Sequence, residues 1–224
     1  MSEPWSVLVV EDHRMVAEAL ALLLANRSEI GGVRFVASAE EALEAAAEAC
    51  PDVVLMDVDL PGIDGIEGTR RLLDICGDAR VVVMTALDAS RVLESLVEAG
   101  AVGFVPKTQA ADRLIEVITR AAEGEMVLPA EVVPDLMRRL RTGQEVRSEA
   151  ATRIAELSPR EIEVLGLLGA GRTTQEVASK LFISPHTVHG HVRSILTKLG
   201  VRSKLEAVLY GLRHDVIRLG EIEQ

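Results

Sequence analysis

Five short apolar runs, each separated from the next by a stretch of helical periodicity, constrain the fold of this chain more than any other feature. They are Ser6 to Val10, Val33 to Ala37, Val53 to Met56, Val81 to Met84 and Gly103 to Val105, rich in β-branched residues and poor in polar ones. A strand with one wet face alternates polar and apolar residues, whereas a run without alternation has both faces covered. Between the runs, Val16, Ala19, Leu20, Leu23 and Leu24 share one helical face, and Ala42 to Ala49, Ile66 to Ile75, Val92 to Ala99 and Leu114 to Ala122 are patterned alike. Five β-α units with buried strands predict an α/β fold, a doubly wound five-stranded parallel sheet with right-handed crossovers.

Chemistry gathers at the ends of these runs, where open parallel sheets present their sites. The first runs into Glu11 and Asp12, the third into Asp57, the fourth into Thr85, and the fifth, after Pro106, into Lys107. Three carboxylates on one rim raise one another's proton affinity unless a cation balances them. Oxygen donors of this kind suit Mg²⁺, and a lysine and a hydroxyl beside them suit phosphoryl oxygens. Singly, Glu11 and Asp12 read as loop or cap residues, and Thr85 and Lys107 as surface decoration. The convergence of four strand ends is what makes them a site.

Composition adds boundaries. The 224 residues are 48% hydrophobic and 26% charged, a globular composition that excludes a disordered, collagen-like or coiled-coil chain. No apolar stretch approaches the roughly 20 residues of a membrane span, and no basic segment precedes an apolar run at the start. Cys50 and Cys76 match neither a metal-site spacing nor a disulfide framework, which predicts reduced thiols and a cytoplasmic setting. The net charge of −11 is unevenly spread: residues 1–128 carry 10 bases and 23 acids, residues 158–218 nine bases and five acids. An acidic front half thus precedes a mildly basic back half, and a basic segment of this size is compatible with nucleic acid or with a solvated surface.

In the back half, four hydroxyl residues stand where helix starts need an acceptor. Ser158 precedes Pro159 and Glu161, Thr173 precedes Glu176 by three residues, Ser184 precedes Pro185, and Ser203 precedes Glu206. Four helices are predicted, with apolar faces Ile162, Leu165, Leu168; Val177, Ala178, Leu181; Val188, Val192, Ile195, Leu196, Leu199; and Leu205, Val208, Leu209, Leu212. Gly200 is set to end the third. The short turn Phe182-Ile183-Ser184 gives the second and third helices helix-turn-helix spacing, although two helices with a short turn are also the pattern of a plain helical hairpin.

The acid pair ED, the segment DVDLPGIDG starting at Asp57, the strand-end Thr85 and the segment GFVPK ending at Lys107 make residues 1 to about 125 resemble a response-regulator receiver domain of flavodoxin-like fold. The strings LSPREIEVL and TTQEVASKLFISPHTVHGHVRSILTKLGVRSKLEAV resemble the LuxR-type helix-turn-helix domain over roughly residues 155–218. Together they make the chain similar to a NarL/FixJ-type two-component response regulator, with a receiver at 1–126, a linker at 127–153 and an all-α DNA-binding domain at 154–224.

The resemblance implies that Asp57 accepts a phosphoryl group from a phosphohistidine on a sensor histidine kinase. It implies Mg²⁺ bound by Asp12, Asp57 and the Asp59 backbone carbonyl, with Glu11 acting through water, Lys107 on the phosphoryl group, and Thr85 and Phe104 as the switch pair. In the second domain it implies a recognition helix from Ser184 to Leu199, with His186, Thr187, His189, Gly190 and Arg193 toward bases or phosphates and Lys198, Arg202 and Lys204 clamping the backbone. Promoter DNA, a homodimer partner and RNA polymerase are the further partners it implies, with no membrane. Four positions depart from the family pattern. Pro106 precedes Lys107 rather than following it, Phe104 lacks the hydroxyl of the frequent tyrosine, and His189 stands where lysine is usual, making one phosphate-seeking charge titratable. Asp59 adds a further carboxylate beside the phosphoryl position.

Other readings meet specific obstacles. Asp57-Val58-Asp59 is the D-x-D of haloacid-dehalogenase-like phosphatases, but those enzymes carry it after their first strand and here it comes after the third. A ligand-sensing LuxR-type regulator needs an apolar, aromatic pocket, and the front half offers only Trp5, Phe35 and Phe104. The alternative closest to the favoured one is a phosphorylation-independent LuxR-type transcription factor that uses the receiver as a dimerisation module. The linker region holds Pro134, a charge-dense MRRLR run and Thr142-Gly143, which predicts a flexible connection with one short helix.

Overall fold

In a computed structural model the chain divides into two compact units, Met1–Val132 and Val133–Gln224. The described residues are 4–24, 27–85, 93–107, 111–127 and 153–217, so nearly all of the expected linker, with its MRRLR run, lies outside them. Among the described residues, no helix is long and apolar enough to cross a membrane.

The first unit is the expected sheet. Strands β1 (Trp5–Val10), β2 (Ile30–Val36), β3 (Val53–Asp57), β4 (Arg80–Thr85) and β5 (Gly103–Pro106) lie in the order β2-β1-β3-β4-β5, each parallel to its neighbours. This is the 2-1-3-4-5 order of flavodoxin-like folds, whose strand order reverses beside β1 and β3. The helices that follow them in turn are α1 (Arg14–Leu24), α2 (Ala39–Glu48), α3 (Gly65–Ile75), α4 (Leu93–Glu98) and α5 (Ala111–Ala122). Every residue of β3 is buried, as a strand covered on both faces must be.

On one face Val7, Val9, Val53, Leu55, Val82, Met84 and Val105 pack with Leu20 and Leu24 of α1 and Leu114, Val117, Ile118 and Ala121 of α5. Ala19, expected on the inner face of α1, is exposed, and Met15 and Leu22 of the same helix face solvent. On the other side α2 and α3 run close together because both present small residues. A Cβ added to Gly68 of α3 would come within 2.9 Å of Ala39 Cβ and 3.5 Å of the Met56 methyl.

The expectation for the cysteines is corrected. Cys50, just past the end of α2, and Cys76, the C-cap of α3, are joined in a disulfide across 26 residues of sequence. No spacing rule anticipates it, because the bond depends on two helix ends converging in space.

The sheet of the first unit is extended by one bridge beyond its strands. Val127, assigned to the linker from sequence, bridges Gly103 in parallel and is buried in the core. Its amide donates to Val102 O and its carbonyl accepts from Phe104 N, both at 3.1 Å. A Cβ on Gly103 would stand 2.3 Å from that carbonyl, so only glycine allows the approach.

The second unit contains helices α6 (Pro159–Gly169), α7 (Thr174–Leu181), α8 (Pro185–Leu199) and α9 (Lys204–Arg213). All four predicted N-caps are in place: Ser158, Thr173, Ser184 and Ser203 each accept the amide N–H three residues on. Ser158 with Glu161 and Thr173 with Glu176 complete reciprocal capping boxes. Gly200 ends α8 in the left-handed conformation at φ 69°. Leu205, Val208 and Leu209 of α9 are buried in the domain's own core, which leaves Leu212 and Tyr210 only partly covered.

Candidate functional sites: an acidic pocket and a helix-turn-helix face

The strand ends bring the predicted groups of the first unit together. Asp57, the last residue of β3, is completely buried, and Glu11, one residue past β1, is nearly so. Lys107 lies just after β5 and reaches back with Nζ 2.6 Å from Asp57 Oδ2 and 3.1 Å from Glu11 Oε1. The amide of exposed Asp59 donates to Asp57 Oδ1 at 3.2 Å. Thr85, at the end of β4, is buried, and its carbonyl accepts the Lys107 amide at 2.9 Å, which ties the lysine loop to the strand of the hydroxyl. Phe104 on β5 is 1% exposed.

Burial alone would lower the Lys107 pKa, but its hydrogen bonds and charge pairing with Asp57 and Glu11 outweigh that and raise it. The ammonium is therefore a fixed positive charge among buried carboxylates. One lysine does not satisfy them all: Glu11 Oε2, fully buried, meets Lys107 as an ion pair at 2.8 Å yet accepts no hydrogen bond. Oxygen atoms of Glu11, Asp12 and Asp57 lie, with a ring nitrogen of His13, within 4.8 Å of one another. Carboxylate oxygens so gathered, one of them short of a donor, fit a small hard dication.

Sequence reading missed His13. Its Nδ1 is 2.8 Å from Asp12 Oδ1 and 3.1 Å from Glu11 Oε1. The only signal was its position directly after the acid pair.

In the second unit α7 and α8 form the helix-turn-helix. Val188, Val192, Ile195 and Leu199 of α8 are buried, and His186, Thr187, His189, Gly190 and Arg193 are exposed. The expected DNA-facing residues thus share the outward side of α8. Arg202, just past α8, is exposed, while Lys204 Nζ is 3.1 Å from Thr174 Oγ1.

Lys198, expected to clamp the DNA backbone, has a partner within the domain. Its Nζ is 2.7 Å from Oε2 of Glu161, a residue 4% exposed in the first turn of α6. Glu161 also accepts from Ser194 Oγ at 2.5 Å and from the Ser158 amide at 2.7 Å. Burial works to raise the Glu161 pKa, but Lys198, Ser194 and Ser158 together hold it down to about 2. Its neighbour Arg160 donates to Leu181 O, at the end of α7, at 2.6 Å, and Arg153 donates to Leu199 O, at the end of α8, at 3.1 Å. Two consecutive residues of α6 therefore hold both helices of the motif. The sequence offered no local sign of this, because Glu161 and Lys198 are 37 residues apart.

A buried aspartate at the third strand's end, set against a lysine and an acid pair, with a helix-turn-helix unit after it in the chain, defines a regulator of receiver type with a DNA-binding output. Comparison with known proteins agrees. Residues 7–119 match the response regulator receiver domain, and residues 155–210 match the bacterial regulatory proteins of the luxR family. The chain is 33% identical over 214 residues to the transcriptional regulatory protein LnrK of Bacillus subtilis, covering 94% of this chain and 97% of that one. It is 33% identical over 211 residues to LiaR of the same organism, covering 94% and 98%.

Among solved structures it resembles the response regulator ChrA of a heme-sensing two-component system, with TM-score 0.50, 30% identity, and 96% and 100% of the two chains covered. A LuxR-family response regulator from Aurantimonas sp. SI85-9A1 matches at TM-score 0.57 and 30% identity, over 61% of this chain and 98% of that one. The protein belongs to the two-component response regulators that join a receiver to a LuxR-type DNA-binding domain and regulate transcription.

Proposed function

We propose that this regulator is controlled by phosphorylation of Asp57, with a phosphohistidine of a sensor histidine kinase as donor and promoter DNA as the target of its output. The observation that supports the reading best is the Lys107 ammonium 2.6 Å from a wholly buried Asp57 carboxylate, with a second buried acid beside it. Asp57 Oδ attacks phosphorus as the P–N bond to the donor imidazole breaks. Lys107, kept cationic by its neighbours, then faces the new phosphoryl oxygens, and the Thr85 hydroxyl turns toward them. Asp12, Asp57 and the Asp59 carbonyl are the residues to hold Mg²⁺, with Glu11 acting through water. Bound there, the ion would supply positive charge to offset the carboxylates and the incoming phosphoryl group.

As Thr85 moves, Phe104 shifts into the space it leaves, a switch of packing without a hydroxyl. The receiver spans 1–126 with Val127 tied to its sheet, the connection runs on to 153, and the DNA-binding domain covers 154–224. His186, Thr187, His189, Gly190 and Arg193 face the major groove, and Lys198, Arg202 and Lys204 approach the backbone. The setting is the cytoplasm, the phosphorylated or DNA-bound form is a homodimer, and RNA polymerase is the downstream partner.

The test is DNA binding by the intact chain, on duplexes selected from random genomic fragments, with and without Mg²⁺ and acetyl phosphate. Phosphodonor should tighten specific binding at least tenfold, about 1.4 kcal/mol of coupling, and Asp57→Ala should abolish the gain. Unchanged binding with no aspartyl phosphate formed would transfer the receiver to the role of a phosphorylation-independent dimerisation module.

A further inference from the structure

Phe182 closes α7 and stands three residues ahead of the recognition helix α8. Two things about it are costly. Its backbone is left-handed, φ 56° and ψ 41°, a conformation that glycine or asparagine adopts readily and a bulky side chain does not. Its ring is 95% exposed, in a chain that has only five aromatic residues.

The turn itself does not call for a phenylalanine. Closure is made by the backbone: the Phe182 amide donates to the Ala178 and Ser179 carbonyls, and the Ile183 amide donates to Ala178 O at 3.0 Å. The apolar contact such a helix end uses falls to Ile183, which is half-buried, and Leu181 before it is buried. A glycine at 182 would make the same turn with less backbone strain and less exposed hydrocarbon.

We propose that Phe182 is a DNA-contacting residue, its ring packing on the apolar part of the duplex at the edge of the major groove. This rests on the reading of the second unit as the DNA-binding output. In a helix-turn-helix complex the first helix crosses the sugar-phosphate backbone and the first residues of the second reach the base edges. The residue that joins them therefore meets the strand bordering the groove. Phenylalanine has no donor or charge to offer a phosphate, so its partners are deoxyribose C–H faces and the C5-methyl of an adjacent thymine. His186, Thr187, His189 and Arg193 of α8 are exposed as Phe182 is, and their polar groups would supply the hydrogen bonding that the ring cannot. Desolvating the ring against DNA recovers the hydrophobic gain that the free domain forgoes.

The experiment uses the intact chain and a duplex that the wild-type protein selects from a random-sequence library, with affinity read by fluorescence anisotropy across a salt series. Phe182→Gly should unfold at a higher temperature than wild type, because the left-handed strain is relieved, yet bind about tenfold more weakly. The slope of log affinity against log salt should not change, because no phosphate contact is lost. Phe182→Leu, which keeps hydrocarbon at the site, should retain part of the affinity that Phe182→Gly loses. Wild-type affinity in the more stable glycine variant would overturn the proposal. So would wild-type DNA affinity combined with loss of promoter activation in cells, which would assign the ring to a protein partner. If the wild-type chain selects no duplex at all, the DNA-binding reading falls and this proposal with it, a result distinct from a defect confined to the variants.

Discussion

Glycine inside a helix gives up about 1 kcal/mol relative to alanine, and Gly190 does so near the middle of α8 where the domain has no use for it. A methyl group added there would meet no atom within 4 Å. Gly190→Ala should therefore raise the stability of the second unit by about 1 kcal/mol, measurable as a shift in its urea midpoint. If the vacancy serves close approach to DNA, the same variant binds more weakly, and undiminished affinity would show that approach is not its purpose. Residues of this kind were legible from their place in the helical repeat. So were Asp57, Thr85 and Lys107, because parallel strands deliver the residues at their C-terminal ends to one rim whatever the packing details. His13 was not, since a histidine beside an acid pair has no spacing that distinguishes a pocket member from a loop residue.

At the scale of elements, two ties that join separate helices should carry measurable stability. The first is the Glu161 carboxylate of α6, which grips Ser194 and Lys198 of α8. Glu161→Gln should cost the second unit about 2 kcal/mol and loosen the recognition helix, seen as a lower melting temperature by circular dichroism. Because the Glu161 pKa is depressed in the folded state to about 2, its contribution is complete above about pH 4.5 and fades as pH falls toward that value. The wild-type domain should lose stability over this acidic window while Glu161→Gln loses less. An equal acid response in both would show that the carboxylate is not a contributor.

The second tie is the Cys50–Cys76 disulfide, closing a 26-residue separation between the ends of α2 and α3. Cys50 is exposed, so a thiol reductant can reach the bond. Dithiothreitol should lower the stability of the receiver by about 3 kcal/mol, and Cys50→Ser should mimic that loss and abolish any further response. Identical midpoints with and without reductant would overturn this. Caps were readable in advance because each needs only three or four neighbouring residues; these ties were not, because each depends on where separate helices finish in space.

On the scale of the whole molecule, charge separates the halves as clearly as fold does. The front 128 residues are strongly acidic and the segment 158–218 is basic, with the total at −11. Electrostatic affinity for DNA depends on the net field as well as on contacts, so the acidic half should oppose non-specific association. A fragment limited to 154–224 should bind random-sequence duplex more tightly than the intact chain at low salt, and the difference should shrink as salt rises. A difference that persisted at high salt would point to steric occlusion instead of charge.

The bridge between Gly103 and Val127 has a mechanical meaning. Val127 is bonded through both its amide and its carbonyl to the segment that carries Phe104 and leads into Lys107. A pull on Val127 would therefore be met by the sheet. A displacement of that strand by a few tenths of an ångström is also a displacement of the anchorage from which everything downstream hangs.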